Sequence, residues 1–353
     1  MFQDLFNLNT TLTLIQAVEN IKLPVSFLTD TFFPQKLSVA TDYVAIEYRK
    51  ENRMLAPFLV KNTKGIDIAR GKSRVKIYSP VVVGARRTIG IGDVSLRQFG
   101  EQPNIYNAPT AEERQARLQA QDLSELLRLM ANRKEAMASE LLQTGKLKIQ
   151  AFAEDGQIAE VDEIDYDLNN SITPTVVWSN TSAKIYDDLR DASEQIQEEI
   201  GEIPTVLIVG KNIEQRLLKN KEIKDWLMLP NRENLTMANF APTWTSPQVR
   251  HIGRISALNL DIVSYSQTYI DDSGTVKNFI DPDTAIIGVP GKGREIHCPV
   301  TIFQQGNFHT ISADTVPFYS YSDEAQTTSL TLFSRYVLTP DAFGSWITIK
   351  TEG

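Results

Sequence analysis

The sequence has a single cysteine, Cys298, so no disulfide can form within the chain. A reducing compartment fits that usage. Histidine is also scarce: His251, His297 and His309 are the full set. None stands at the spacing of a zinc or calcium site, and His297 and Cys298, as strand neighbours, would face opposite ways. No metal site is expected. No Gly-x-Ser-x-Gly elbow is present, which removes the commonest serine nucleophile motif. The loop Gly288-Val-Pro-Gly-Lys-Gly293 runs into Arg294 and Glu295, where a phosphate loop needs Lys then Ser or Thr. Glu295 would repel phosphate, so a turn between strands is expected. Gly90-Ile91-Gly92 lacks the third glycine of a dinucleotide fingerprint. No apolar run nears the roughly 20 residues that span a bilayer, and MFQDLFNLNTTLTLIQAVENIKLP has neither the basic start nor the apolar stretch of a secretory signal. No catalytic residue, cofactor or membrane association is therefore expected.

What is present describes a folded protein. The chain has 353 residues, 42% hydrophobic and 23% charged, enough to bury a sizeable core. Its formal net charge is −8. Such a chain is a poor general ligand for phosphate backbones, although it can enclose nucleic acid without gripping it.

Elements come in blocks without a βαβ rhythm, which predicts an α+β fold. Residues 1–35 form an arm ending in an aromatic-rich extended stretch, SFLTDTFF. Two readings stand for it: a terminal segment seeking its own core, or an arm that docks on a neighbouring subunit. Val44, Ile46 and Tyr48 alternate as on a half-buried strand. Residues 110–145 predict a long helix. Thr110 and Glu113 have capping-box spacing, an apolar stripe runs from Ala116 to Leu141 with Lys134 interrupting it, and Gly145 supplies the left-handed stop. At 1.5 Å per residue this helix spans on the order of 50 Å. LKIQAF and IAEVDEI flank a turn at Glu154-Asp155-Gly156 and predict a hairpin. Residues 180–310 read as a separate lobe. It has a helix capped by Ser182 and ended by Gly201, then TVLIV, LDIVSY, TVKNFI and TAIIGV as sheet strands. Residues 326–349 return to extended structure.

Charge is unevenly spread. Residues 57–98 hold nine basic side chains (Lys61, Lys64, Arg70, Lys72, Arg74, Lys76, Arg86, Arg87 and Arg97) against Asp67 and Asp93, an excess of +7. Their runs IDIARGKSRVKIYSP and VVVGARRTIGI predict a two-stranded excursion. With few aromatics to stack on bases, the segment is a weak nucleic-acid patch. The hairpin and its exit carry Glu154, Asp155, Glu160, Asp162, Glu163, Asp165 and Asp167 without a basic residue among them. A basic arm and an acidic hairpin can pair between copies of one chain. The expected contact residues are Lys61, Lys64, Arg70, Lys72, Arg74, Lys76, Arg86 and Arg87 on one side, and Glu160, Asp162, Glu163 and Asp165 on the other.

The order of these elements resembles the Hong Kong 97-type capsid fold, and the motifs resemble the lambda-like major capsid protein E family of tailed bacteriophages. The stretches that carry the resemblance are FLTDTFFP (27–34), LAPFLV (55–60), YSPVVV (78–83), LRQFGE (96–101), RKEAMASELLQTGKLKI (133–149), GTVKNFIDPDTAIIG (274–288) and LTPDAFGSWITI (338–349). The resemblance implies an N-terminal arm (1–35) and a peripheral domain (36–56 and 99–179) with a spine helix at 110–145. It further implies an extended loop (57–98) over an adjacent subunit, an axial domain (180–310) and return strands of the peripheral domain (311–353). Pentamers and hexamers would then build an icosahedral procapsid in the host bacterial cytoplasm and, as a virion capsid, enclose double-stranded DNA without sequence-specific binding. A scaffold, a portal and a decoration protein are the implied partners. An encapsulin-like cargo compartment uses the same fold and is the alternative; a soluble enzyme with an unrecognised pocket is the third reading.

Overall fold

The structure is a computed structural model that describes residues 26–49, 73–95, 110–152, 158–168, 170–221, 223, 238–239, 243–246, 249–304 and 306–352. Residues 1–25 of the expected arm, the turn at Glu154-Asp155-Gly156, and Lys61, Lys64, Arg70, Lys72 and Arg97 lie outside the described residues. Helices and strands are mixed in blocks, as the α+β expectation has it.

The helices among the described residues include α1 (Phe27–Phe32), α2 (Ile91–Ser95), α3 (Ala111–Thr144), α4 (Ile185–Ile200) and α5 (Lys211–Lys219). The long helix α3 has 34 residues and starts as its sequence predicts: Thr110 accepts from the Glu113 amide while Glu113 accepts from the Thr110 amide. These reciprocal bonds satisfy two of the four amides that a helix start leaves free. Gly145 ends it at φ +70°. At the same end, Trp346 Nε1 and Thr348 Oγ1 donate to the Leu142 carbonyl at 3.1 and 2.6 Å, occupying an acceptor that the last turn leaves open.

A central sheet runs in the order Thr243–Ser246, Val249–Ile255, Leu260–Tyr265, Val206–Val209, Thr284–Gly288, Trp346–Lys350 and Ser171–Ile172. Its middle strands are buried on both faces, so they read as continuous apolar runs. Ile208 and Ile286 face one core with the C-terminal part of α3, through Leu141 and Leu142. Leu207, Val209 and Ile287 face a second core, closed by Leu189, Ala192 and Ile196 of α4 and by Ile213 and Leu217 of α5. The other half of α3 packs Leu123, Leu126, Leu127 and Met130 on Leu330 and Leu332. Those two leucines belong to a three-stranded sheet of Val316–Ser322, Thr327–Ser334 and Val83–Gly90. The helix is thus a beam with a sheet at each end.

Several expectations change. SFLTDTFF is not extended; Phe27–Phe32 is helical, because the buried Glu135 carboxylate of α3 accepts from the amides of Leu28 (2.7 Å) and Thr29 (3.0 Å) and from the Thr29 hydroxyl (2.8 Å). The cap comes from another helix, 106 or more residues away, where local sequence cannot announce it. The strands Ser73–Tyr78 and Val83–Gly90 do not pair with one another. The first pairs with Val44–Arg49 and the second with Thr327–Ser334, so the two-stranded ribbon has its base at 44–49 and 73–78. Ser182 does not cap α4; its amide donates to Asn180, and the helix starts after Lys184. Within TVKNFI, Val276–Asn278 forms a small exposed hairpin with Thr268–Ile270 and does not extend the sheet. The boundary expected at residue 311 is crossed as well, since Trp346–Lys350 pairs with Thr284–Gly288 inside the central sheet.

A methyl group at Gly145 would stand 2.9 Å from the Leu168 carbonyl oxygen, at a backbone φ that L-residues disfavour. Gly145→Ala is therefore expected to lower the stability of the unassembled subunit by about 1–3 kcal/mol. A urea midpoint equal to that of the parent chain contradicts this account of the helix stop.

Candidate functional site

A cluster of buried and half-buried charge lies where α3 meets the N-terminal segment. Lys134 faces inward there, at the position where it interrupts the apolar stripe. Its ammonium ion-pairs with Glu295 and stands 3.0 Å from Asp314. Lys36 reaches the other oxygen of Asp314 at 2.6 Å, and His297 Nε2 lies 2.8 Å from Glu295. The groups come from four places: α3, the strand Gln35–Ser38, the strand Gly293–His297 and the loop at 314. Gln35–Ser38 runs parallel to Gly293–His297, which pairs antiparallel with Tyr336–Pro340, so one small sheet aligns two of these segments. A cavity of about 230 Å³ opens beside them, lined also by Thr29, Asp30, Met130 and Tyr336.

Burial alone would raise the Glu295 carboxyl, but His297 and Lys134 outweigh it and hold it below its usual range. Asp314 is likewise pushed up by burial and pulled well down by Lys134, His297 and Lys36. Glu135 is the opposite case: burial raises it, against the amide bonds from Leu28 and Thr29. Glu295, His297 and Asp314 bring one ligand-type atom each within 4.8 Å of the others, the one such grouping among the described residues. The Lys134 ammonium stands between the two carboxylates and supplies a cation there, which makes the grouping an internal ion-pair network. Sequence spacing pointed away from His297 because it compared His297 with Cys298, while the converging partners stand on other segments. Cys298 is not part of the cavity lining; it is buried, and its thiol is pushed up by that burial.

The residues expected to meet between copies distribute differently. Lys76 donates to the Asp165 carbonyl at 2.6 Å and pairs with Asp167 at 3.1 Å in its own chain. Lys146 pairs with Glu163 (3.0 Å) and Asp165 (2.8 Å) across the hairpin of Lys146–Phe152 and Ile158–Asp165. Asp162 caps the Glu163 amide at 2.9 Å. The acidic hairpin is thus partly neutralised from within. Arg87 binds Asp122 at 3.0 Å and also Glu125 on α3, and Arg86 donates to Ser329 at 2.8 Å. Both arginines fasten the outer sheet and lie off the ribbon. Arg74 stands on the ribbon strand and Glu160 on the hairpin strand; both side chains lie outside the described residues. Among the described residues, no helix is long and apolar enough to cross a membrane.

A family profile, phage major capsid protein E, matches residues 10–326. A solved prophage protein from E. coli CFT073, which carries a provisional description as a capsid protein, has a similar fold. The TM-score is 0.67 at 18% identity, over 96% of this chain and 98% of that one. A phage-related protein from Bordetella bronchiseptica RB50 is similar with a TM-score of 0.54 at 13% identity, over 96% of each chain. At these identities the likeness concerns the fold. No curated protein matches the chain.

Lys134→Met removes the one cation that reaches both carboxylates and leaves the buried Glu295 with only His297 beside it, a change expected to cost about 3–5 kcal/mol. Its pH dependence tests the cause. In the parent chain Glu295 and Asp314 have folded pKa values below their unfolded ones. Their contribution is present above the unfolded values and is lost as pH falls through the folded values. Without Lys134 one cause that lowers both groups is gone while His297 and Lys36 remain, so less of that stability is there to lose. The midpoint of the variant is then expected to fall less than that of the parent on acidification from pH 6 to pH 3. Urea unfolding at both pH values checks this, and equal losses in the two proteins count against the network.

Proposed function

We infer the role of this chain from one premise: it belongs to the phage major capsid protein E family. It is a structural capsid protein and not an enzyme, its place is the virion capsid, and it associates with copies of itself. The observation that carries the reading is the profile match over residues 10–326, joined to an architecture built as a beam with a sheet at each end. Beyond that, the layout follows the Hong Kong 97 type. The ribbon based on Val44–Arg49 and Ser73–Tyr78 is the root of an extended loop, α3 is the spine of a peripheral domain, and the central sheet belongs to an axial domain. Pentamers and hexamers of the chain form an icosahedral procapsid in the bacterial cytoplasm, with a scaffold, a portal and a decoration protein as partners, around double-stranded DNA. The net charge of −8 supports a wall that encloses DNA without gripping it.

The ribbon also supports the intersubunit role. Val75 and Ile77 are 54% and 73% exposed on it, so its apolar side chains are uncovered in one chain. Lys76, Arg86 and Arg87 have partners in their own chain, so the expected meeting with an acidic neighbour falls to Lys61, Lys64, Arg70, Lys72 and Arg74.

Purified protein is expected to form shells or capsomers under negative-stain electron microscopy and to sediment accordingly. A monodisperse monomer at all concentrations and salts sinks the capsid role. Charge reversal at Lys61, Lys64, Arg70 and Lys72 together is expected to reduce shell yield while leaving circular dichroism and the thermal midpoint unchanged. Added salt acts in the same direction, since the Debye length falls from about 10 Å at 0.1 M to about 3 Å at 1 M. Assembly indifferent to both treatments removes electrostatic docking of the ribbon.

A further inference from the structure

The hairpin of Val300–Gln304 and Asn307–Ile311 has one covered face and one bare face. Val300 and Ile302 are buried against Val316, with Ile311, Phe318 and Phe333 packed around them. On the outward face Phe303 and Phe308 are register partners with ring centroids 5.0 Å apart, and they are 54% and 77% exposed. Thr301 and Thr310, also partners, hydrogen-bond at 2.9 Å on the same face. Two facing phenylalanines in water forgo the burial that makes aromatic residues favourable, and a lone two-stranded hairpin is marginal without cover.

The composition of this segment is as telling as its exposure. From Ile296 to Ala313 there is no Asp, Glu, Lys or Arg, eighteen residues in a chain that is 23% charged. Exposed edge strands usually carry charges that repel edge-to-edge pairing, and this hairpin carries none. Aromatic enrichment with charge depletion is the composition of an interface core. It also narrows the partner. Where copies meet around a rotation axis, each residue near the axis approaches its own equivalent, so any charge there would meet itself. An uncharged aromatic face escapes that repulsion. The ribbon at 44–49 and 73–78 is built otherwise, with Glu47, Arg49, Arg74 and Lys76 along it, and suits a contact with a different surface of a neighbour.

We propose that the Phe303–Phe308 face is a self-meeting contact, packed in the assembled shell against the same hairpin of a second copy around a shared rotation axis. The proposal rests on the capsid reading above. Its test keeps the two separable, because the parent chain is assembled in parallel. If the parent forms no shells, the capsid reading fails and not this one alone.

Two variants test the contact. Phe303→Ser with Phe308→Ser is expected to leave the circular dichroism of the subunit unchanged and to cut shell yield at least tenfold. Phe308→Cys, assembled and then oxidised, is expected to give a disulfide-linked species of two copies on non-reducing gels. The parent is expected to give none, its one cysteine being buried. A disulfide needs Cβ atoms about 3.5–4.5 Å apart, so the link reports equivalent positions brought together. Full shell yield from the double serine variant overturns the proposal. So does loss of assembly in that variant with no cross-link from Phe308→Cys, which places a different surface over the hairpin.

Discussion

Two adjacent charged residues on the long helix, Lys134 and Glu135, hold the molecule to one arrangement. Glu135 is buried and Lys134 half-buried, at positions where the helix would otherwise continue an apolar face. Glu135 gathers the start of α1, whose own N-cap residue, Ser26, makes no side-chain cap. Lys134 gathers Glu295 and Asp314, and through Asp314 also Lys36. Opposite charges side by side on one helix thereby bind segments far apart in the chain. Buried charges tolerate little misplacement, because a lone one costs several kcal/mol, so the two residues also select the register of everything they touch. The parallel pairing of Gln35–Ser38 with Gly293–His297 follows from both ends of that arrangement.

A structure pinned in this way suits a subunit that must present the same surfaces many times. The beam joins two sheets, and each sheet contributes a core on α3, so the distance between the lobes is set by helix length. The charged cavity does not interrupt that logic. Its charges pair with one another across distant segments, Lys134 with Glu295 and Asp314, and Lys36 with Asp314. The chain's uncovered features are of another kind: small hairpins with apolar side chains facing out, at Val75 and Ile77, at Ile270 and Val276, and at Phe303 and Phe308.

What could be read from the sequence was whatever depended on neighbours along the chain. The capping box at Thr110, the stops at Gly145 and Gly201, and the strands Val206–Val209 and Thr284–Gly288 are local events with local signatures. What escaped was the choice of partner. Ser73–Tyr78 and Val83–Gly90 look like one ribbon because they are adjacent, and only the sheet shows that each pairs elsewhere. The helix at Phe27–Phe32 depends on Glu135. Lys134 registered only as a flaw in a stripe, because its carboxylates lie more than 150 positions away. The basic segment does meet the acidic hairpin through Lys76, but within one chain. Composition shows that charges are complementary and leaves open whether they belong to one copy or two.

That distinction orders the remaining surface. Lys76, Arg86 and Arg87 are already engaged inside the chain, fixing the ribbon base to the hairpin exit and the outer sheet to α3. Pairs of this kind keep the subunit's shape before any copy arrives. The surfaces left for assembly then divide by charge. A charged ribbon finds a complement only on an unlike surface, which makes its contact heterologous and directional around a ring. An uncharged aromatic hairpin tolerates its own image. A closed shell built from one chain needs both sorts of contact, one to carry rings around and one to join rings where like meets like. The separation of a +7 segment at 57–98 from one at 296–313 without Asp, Glu, Lys or Arg gives this chain a means to keep the two apart.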